Sequence, residues 1–172
     1  AIQFQKDGMN VFFLLRNPVL AASGKMIQTI QFPVKGYLYD LLKGKYLGEA
    51  SPTEVVLDDA VPAAVFGIYP YRIEALLVNV ADKIQAGKDL IAKIQLKVQG
   101  ARPETHIFHV EVIPPDGGGN LLLKRNLVAE NGTLEFHLRT AYNDPNGKWT
   151  LRVKDVMSGL ITEKTFLLEG GK

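Results

Sequence analysis

The chain has 172 residues, 47% of them apolar, a formal net charge of +2 and no cysteine. That composition excludes a disordered chain, a disulfide scaffold, a cysteine nucleophile and a thiolate metal site. Lys and Arg are spaced singly and leave no basic stripe for nucleic acid or a membrane surface, and the longest apolar run, around residues 11–15, is strand-sized.

The chain opens at Ala1, directly in strand-like Ile2-Gln3-Phe4, with no initiator Met and no signal peptide, and so reads as a piece of a longer chain. Residues 2–5 and 9–16 read as a hairpin about Lys6-Asp7-Gly8, followed by a loop over 17–25. Ile30, Phe32 and Val34 alternate, and Tyr37 and Tyr39 continue on a further strand after Gly36. Lys43-Gly44-Lys45 is a tight turn into Tyr46-Leu47-Gly48. A strand is expected over 53–57, a turn over 58–62, and a strand over 63–69 that is apolar on both faces, hence buried on both sides. Pro70 cannot continue a ladder, so a short linker is expected over 70–72.

Beyond the linker, a first strand is expected over 73–80, then a turn at Gln85-Ala86-Gly87-Lys88. Leu90, Ala92, Ile94, Leu96 and Val98 alternate without a miss. Further strands follow over 106–113, with Phe108, Val110 and Val112 inward, and over 120–129, after a Gly-rich turn at 114–119. Asn131-Gly132 is a hairpin signal ahead of Leu134, Phe136 and Leu138. The turn Asp144-Pro145-Asn146-Gly147 feeds a strand over 149–155, in which Trp149, Leu151 and Val153 face one way and Lys148, Thr150, Arg152 and Lys154 the other. A last strand is expected over 160–168, and residues 169–172 read as a fraying tail. The expected fold is all-β, two small β-sandwich domains in tandem: 1–70, and 73–169 as an immunoglobulin-like domain of about seven strands.

Little in the chain points to catalysis. His106 and His109, three apart on one strand, face opposite ways and His137 faces outward, so they read as surface or half-buried residues rather than shared ligands. Asp58, Asp59, Asp116, Asp144 and Asp155 fall in expected turns, where carboxylates bond to nearby backbone N–H groups. Calcium between Asp144 and Asp155 stays open as an alternative, without EF-hand spacing. The Gly-rich turn at 114–119 opens no helix and so cradles no phosphate. Ser23, Ser51 and Ser158 lie in loops without a nucleophile elbow. No catalytic, cofactor-binding or metal residue is assigned. Aromatic rings with polar tips suit sugars. Of the six tyrosines, Tyr39, Tyr46 and Tyr142 are the candidates for a carbohydrate platform, the competing reading being packing, and Trp149 reads as core.

Several short stretches resemble a known series. Asp7-Gly8, Leu14-Leu15-Arg16-Asn17, Tyr39-Asp40, Gly44-Lys45-Tyr46-Leu47-Gly48-Glu49 and Val65-Phe66 ahead of Tyr69-Pro70-Tyr71 resemble the β-rich region C-terminal to the barrel of bacterial multidomain β-galactosidase-like glycoside hydrolases. His109-Val110-Glu111-Val112, Pro115-Asp116-Gly117, Asn143-Asp144-Pro145 with Gly147 and Trp149, Val153-Lys154-Asp155-Val156 and Gly159 continue it. The second half is also similar to α2-macroglobulin-type sandwich domains. The resemblance implies non-catalytic accessory modules of a larger secreted, periplasmic or cell-surface protein, packing against or orienting its catalytic domain. It carries no catalytic residue onto this chain and implies no cofactor. The alternatives are a carbohydrate-binding module with a polysaccharide partner, and a macroglobulin- or adhesin-like protein-interaction module.

Overall fold

A computed structural model describes residues 2–6, 8–16, 24–117 and 123–170, with Lys6 described by its backbone alone. Asp7 of the first expected turn, positions 17–23 of the expected loop with Ser23, the Gly-rich turn beyond Gly117, the first three residues of the strand expected over 120–129, and Gly171-Lys172 lie outside the described residues. Among the described residues the regular elements are strands, with no α-helix. The chain divides into two compact units: residues 1–72 with 99–104 and 157–159, and residues 73–98 with 105–156 and 160–172.

The first unit holds β1 (Ile2–Lys6), β2 (Met9–Leu15), β3 (Met26–Ile30), β4 (Tyr37–Asp40), β5 (Lys45–Glu49), β6 (Thr53–Leu57) and β7 (Ala63–Tyr69). Five form an antiparallel sheet in the order β1-β2-β7-β4-β5, and β3 pairs with β6. Period-2 alternation decides the core: Phe12 and Leu14 of β2, Leu38 of β4, and Ala64, Phe66 and Ile68 of β7 meet Val55 and Leu57 of β6. The strand expected through Ile30, Phe32 and Val34 is not there. β3 ends at Ile30 because Pro33 cannot donate to a ladder, though Phe32 still enters the core, edge-on to Phe12 and Phe66.

The sheet's opposite face is divided. Around β4 and β7 it is closed: Tyr39 and Tyr69 are buried, and the Tyr69 ring lies 5.4 Å from both the Tyr39 and Tyr71 rings. Around β1 and β2 it is open. The register sets Ile2 opposite Phe13 and Phe4 opposite Val11, and Phe4 and Leu15 are 58% and 67% exposed.

The second unit is built from β8 (Tyr71–Val80), whose first two residues count with the first unit, and β9 (Lys83–Gln85), β10 (Asp89–Gly100), β11 (His106–Ile113), β12 (Lys124–Ala129), β13 (Thr133–Arg139), β14 (Gly147–Asp155) and β15 (Ile161–Glu169). β8 begins at Tyr71, so the expected three-residue linker shrinks to Pro70. The sheets are β13-β10-β8 and β12-β11-β14-β15-β9. Strand β9, absent from the sequence expectation, runs parallel to the end of β15. Each sheet buries one face: Leu90, Ala92, Ile94 and Leu96 on β10, Phe108, Val110 and Val112 on β11, Trp149, Leu151 and Val153 on β14. The Thr162 hydroxyl of β15 donates to the Leu76 carbonyl of β8 at 2.6 Å, a bond between the two sheets.

Asn131 and Gly132 both take positive φ, 51° and 65°, as a type I′ turn requires. The turn does not make the expected hairpin. It carries the chain from β12 in one sheet to β13 in the other.

Candidate functional site

The expected platform residues part company in the structure. Tyr39 is 1% exposed and packed against Tyr46 and Tyr69, with centroids at 5.1 and 5.4 Å, so its faces are already occupied. Tyr46 is half-buried, and the Arg72 guanidinium sits 5.2 Å from its centroid in a cation–π contact. These two are brought together as a packed cluster. Tyr142 belongs to the other unit and is 74% exposed.

Tyr142 lies on the connection from β13 to β14, against the β9–β10 turn. In that turn the Lys88 N–H donates to the Gln85 carbonyl at 3.0 Å, and Gly87 takes a φ of +81° that side-chain-bearing residues rarely adopt. A Cβ on Gly87 would stand 2.5 Å from Cε1 of Tyr142 and 2.7 and 2.8 Å from the two adjoining ring atoms. Such nearly equal distances mean an approach along the ring normal. One face of Tyr142 therefore rests flat on Gly87. The loop is held by the Thr140 hydroxyl donating to the Lys88 carbonyl at 2.6 Å and by the Ala141 N–H donating to the Asp144 carboxylate at 2.7 Å. Asp144 thus has the backbone role its turn position implied.

Beside this loop opens a cavity of about 360 Å3, lined by Leu90, Val112, Trp149 and Phe166 with Arg125, Arg139, Thr140, Ala141 and Asp144. Arg139 pairs with Asp89 at 3.1 Å. Arg125 stands opposite Val110 in the β11–β12 register, with Leu127 opposite Phe108, so it shares their row on an edge strand, where its side chain is exposed. The alternation Arg125, Leu127, Ala129 marks that row in the sequence. A larger concavity of about 590 Å3 in the first unit is mostly apolar, and its Asp40 is engaged by the Lys43 backbone and ammonium.

Two polar constellations serve the second unit's sheets. His106, expected on the surface or half-buried, and Asp155, expected in a turn, are both fully buried and paired at 2.9 Å. Their parity explains it: His106 shares the inward row of Phe108 and Val110, and Asp155 that of Leu151 and Val153. Asp155 is therefore unavailable to join Asp144 around calcium. Among the described residues no group of three or more His, Asp or Glu is placed to hold a metal ion. His109 is bonded to Asn126 at 2.7 Å and His137 to Glu135 at 2.8 Å. On the outer face a charge row crosses four strands: Lys124 to Glu111 at 2.5 Å, Glu111 to Arg152 at 3.3 Å, and Arg152 to Glu163 at 2.5 Å. The Lys124 hydrogen bond, joined by the charges of Lys124 and Arg152, holds the Glu111 carboxyl below its ordinary range. The Glu163 hydrogen bond raises Arg152.

No family model and no curated protein matches the chain. It is similar to a superoxide reductase (neelaredoxin) from Ignicoccus hospitalis, 11% identical, with a TM-score of 0.40 over 56% of this chain and 82% of that one. It is also similar to a chain from Bacteroides fragilis designated a β-galactosidase, 13% identical, with a TM-score of 0.26; the match covers 91% of this chain and spans 32% of the length of that one. The second is a weak likeness to the class the motifs resemble. Both stand too far off to define a family. The class established is an all-β protein of several, largely antiparallel, sheets.

Proposed function

We propose that the chain is a pair of non-catalytic β-sandwich modules, 1–70 and 73–169, of a larger secreted or cell-surface bacterial carbohydrate-active protein. Their task is to pack against and orient its catalytic domain. The observation that supports this is the open face of the first sheet: Ile2, Phe4, Val11, Phe13 and Leu15 form a contiguous apolar surface on β1 and β2. Exposed apolar patches of this kind mark interaction sites. In the second module, the separation of the strands into β13-β10-β8 and β12-β11-β14-β15-β9 supports an immunoglobulin-like reading. The Trp149 indole N–H donates to the Pro145 carbonyl at 2.9 Å, four residues upstream, much as a tyrosine corner ties the start of its strand to the preceding loop.

Hydrogen exchange tests this reading. The amides of β1 and β2 should exchange markedly more slowly in the longer parent chain than in the 172-residue chain. Equal protection in both would overturn it. A second reading, direct contact with a polysaccharide, is favoured by the exposed ring of Tyr142.

A further inference from the structure

The loop end of the second unit carries two features that its own packing does not use. The first is the Tyr142 ring, supported from below by Gly87 and 74% exposed. An exposed tyrosine gains little from burial, whereas a ring fixed flat offers its free face to the C–H face of a pyranose. The second is Arg125. It is an exposed side chain on an edge strand, in register with the inward-facing Val110, and lines a cavity with Trp149 and Phe166; among the described residues it has no ion-pair partner. Arg139, on the same cavity, is already paired with Asp89, and Asp144 accepts from the Ala141 N–H. What the cavity offers is therefore one guanidinium without an ion pair among the described residues, beside apolar Leu90, Val112, Trp149 and Phe166 and across a lining that also holds the Asp144 carboxylate. A guanidinium in that setting selects a carboxylate, which it can hold through two parallel N–H bonds.

We propose that this end of the unit binds an acidic sugar residue, a uronate unit of an anionic polysaccharide. Tyr142 stacks on the pyranose face and Arg125 holds the carboxylate. The inference rests on the polysaccharide reading above and names its ligand class. The competing account is that Arg125, as a charge on an edge strand, only discourages strand pairing with other molecules. That account gives no role to Tyr142 and no dependence on an anionic ligand.

The test is affinity electrophoresis of the 172-residue chain through gels holding polygalacturonate, alginate or a neutral glucomannan, followed by calorimetry with uronate oligomers. One of the two anionic polymers should retard the chain and the neutral one should not. Arg125→Gln and Tyr142→Ala should each weaken binding at least tenfold while Trp149 fluorescence and the unfolding midpoint stay unchanged. Lys93→Gln, an exposed charge on β10, should leave binding intact. Equal loss from Lys93→Gln would mean diffuse charge attraction and would overturn the site. Retardation by glucomannan that needs Tyr142 but not Arg125 would overturn the acidic specificity and leave the polysaccharide reading standing. No retardation by any polymer would overturn both.

Discussion

Nδ1 of His106 lies 2.9 Å from Oδ1 of Asp155, and neither side chain is accessible to solvent. The pair ties the first residue of β11 to the last residue of β14, adjacent strands of the five-stranded sheet. Removing one partner breaks the buried pair, which typically costs about 3–5 kcal/mol. Asp155→Ala should therefore lower the free energy of urea unfolding by about that amount. Replacing both residues together, His106→Leu with Asp155→Leu, should cost clearly less, because the desolvation of both groups goes with the pair. A double replacement as damaging as the single one would show that the two side chains do not act as a unit.

The charge row Lys124–Glu111–Arg152–Glu163 predicts a pH dependence of definite sign. Glu111 is held below its ordinary value of about 4.3, so the folded state favours its charged form. Its contribution is present above that value and is lost as pH falls through the lowered folded value. Lys124 and Arg152 are substantially exposed, so the whole effect at pH 7 is about 0.5–1 kcal/mol and is weaker at high salt. Glu111→Gln should be less stable than the parent by that margin at neutral pH, and the gap should close as pH falls through the lowered folded value. A gap that persists in strong acid would assign the loss to packing instead.

The strands of the second unit were legible wherever the period was long enough to count. Leu90 to Leu96 alternate over four inward positions, and β11 runs over the expected residues. Strand β9 was not legible because Lys83-Ile84-Gln85 is too short to carry a period. Asn131-Gly132 announced its turn type but not that the strands on either side belong to different sheets, since the local chemistry is the same in both cases. Residue type misled where parity was already sufficient. Asp155 occupies an inward position, yet Asp suggested a turn. The burial of Tyr39 depends on residues distant in sequence, Tyr69 among them, which no local pattern contains.

Trp149 combines burial with a directed hydrogen bond, and two substitutions separate them. Its ring is buried at the start of β14, stacked 6.3 Å from Phe166, while its indole N–H reaches the Pro145 carbonyl. Trp149→Phe keeps most of the apolar volume and loses the donor, an expected cost of about 1–2 kcal/mol. Trp149→Ala removes both and should cost about 3–5 kcal/mol. Circular dichroism in urea is the measurement, because this is the chain's only tryptophan and fluorescence goes with it. Similar losses in the two variants would mean that the bond, not the packing, holds the strand's start.

Phe4 and Phe12 lie on neighbouring strands of the first sheet but on opposite faces, and substitutions at the two should separate stability from association. Phe12 is 6% exposed in the core, edge-on to Phe32, so Phe12→Ala should cost about 3–5 kcal/mol. Phe4 contributes mainly an edge-on contact with Phe13 at 5.6 Å, and aromatic pairs of that kind are worth about 0.5–1.5 kcal/mol. Phe4→Ser should therefore lower stability by no more than about 1 kcal/mol. It should also reduce binding of a hydrophobic dye and the concentration-dependent association of the isolated chain, because it breaks the apolar surface on β1 and β2. If Phe4→Ser instead unfolds the unit, β1 is held by that ring alone, and the open face is part of the unit's own stability rather than a surface kept for a partner.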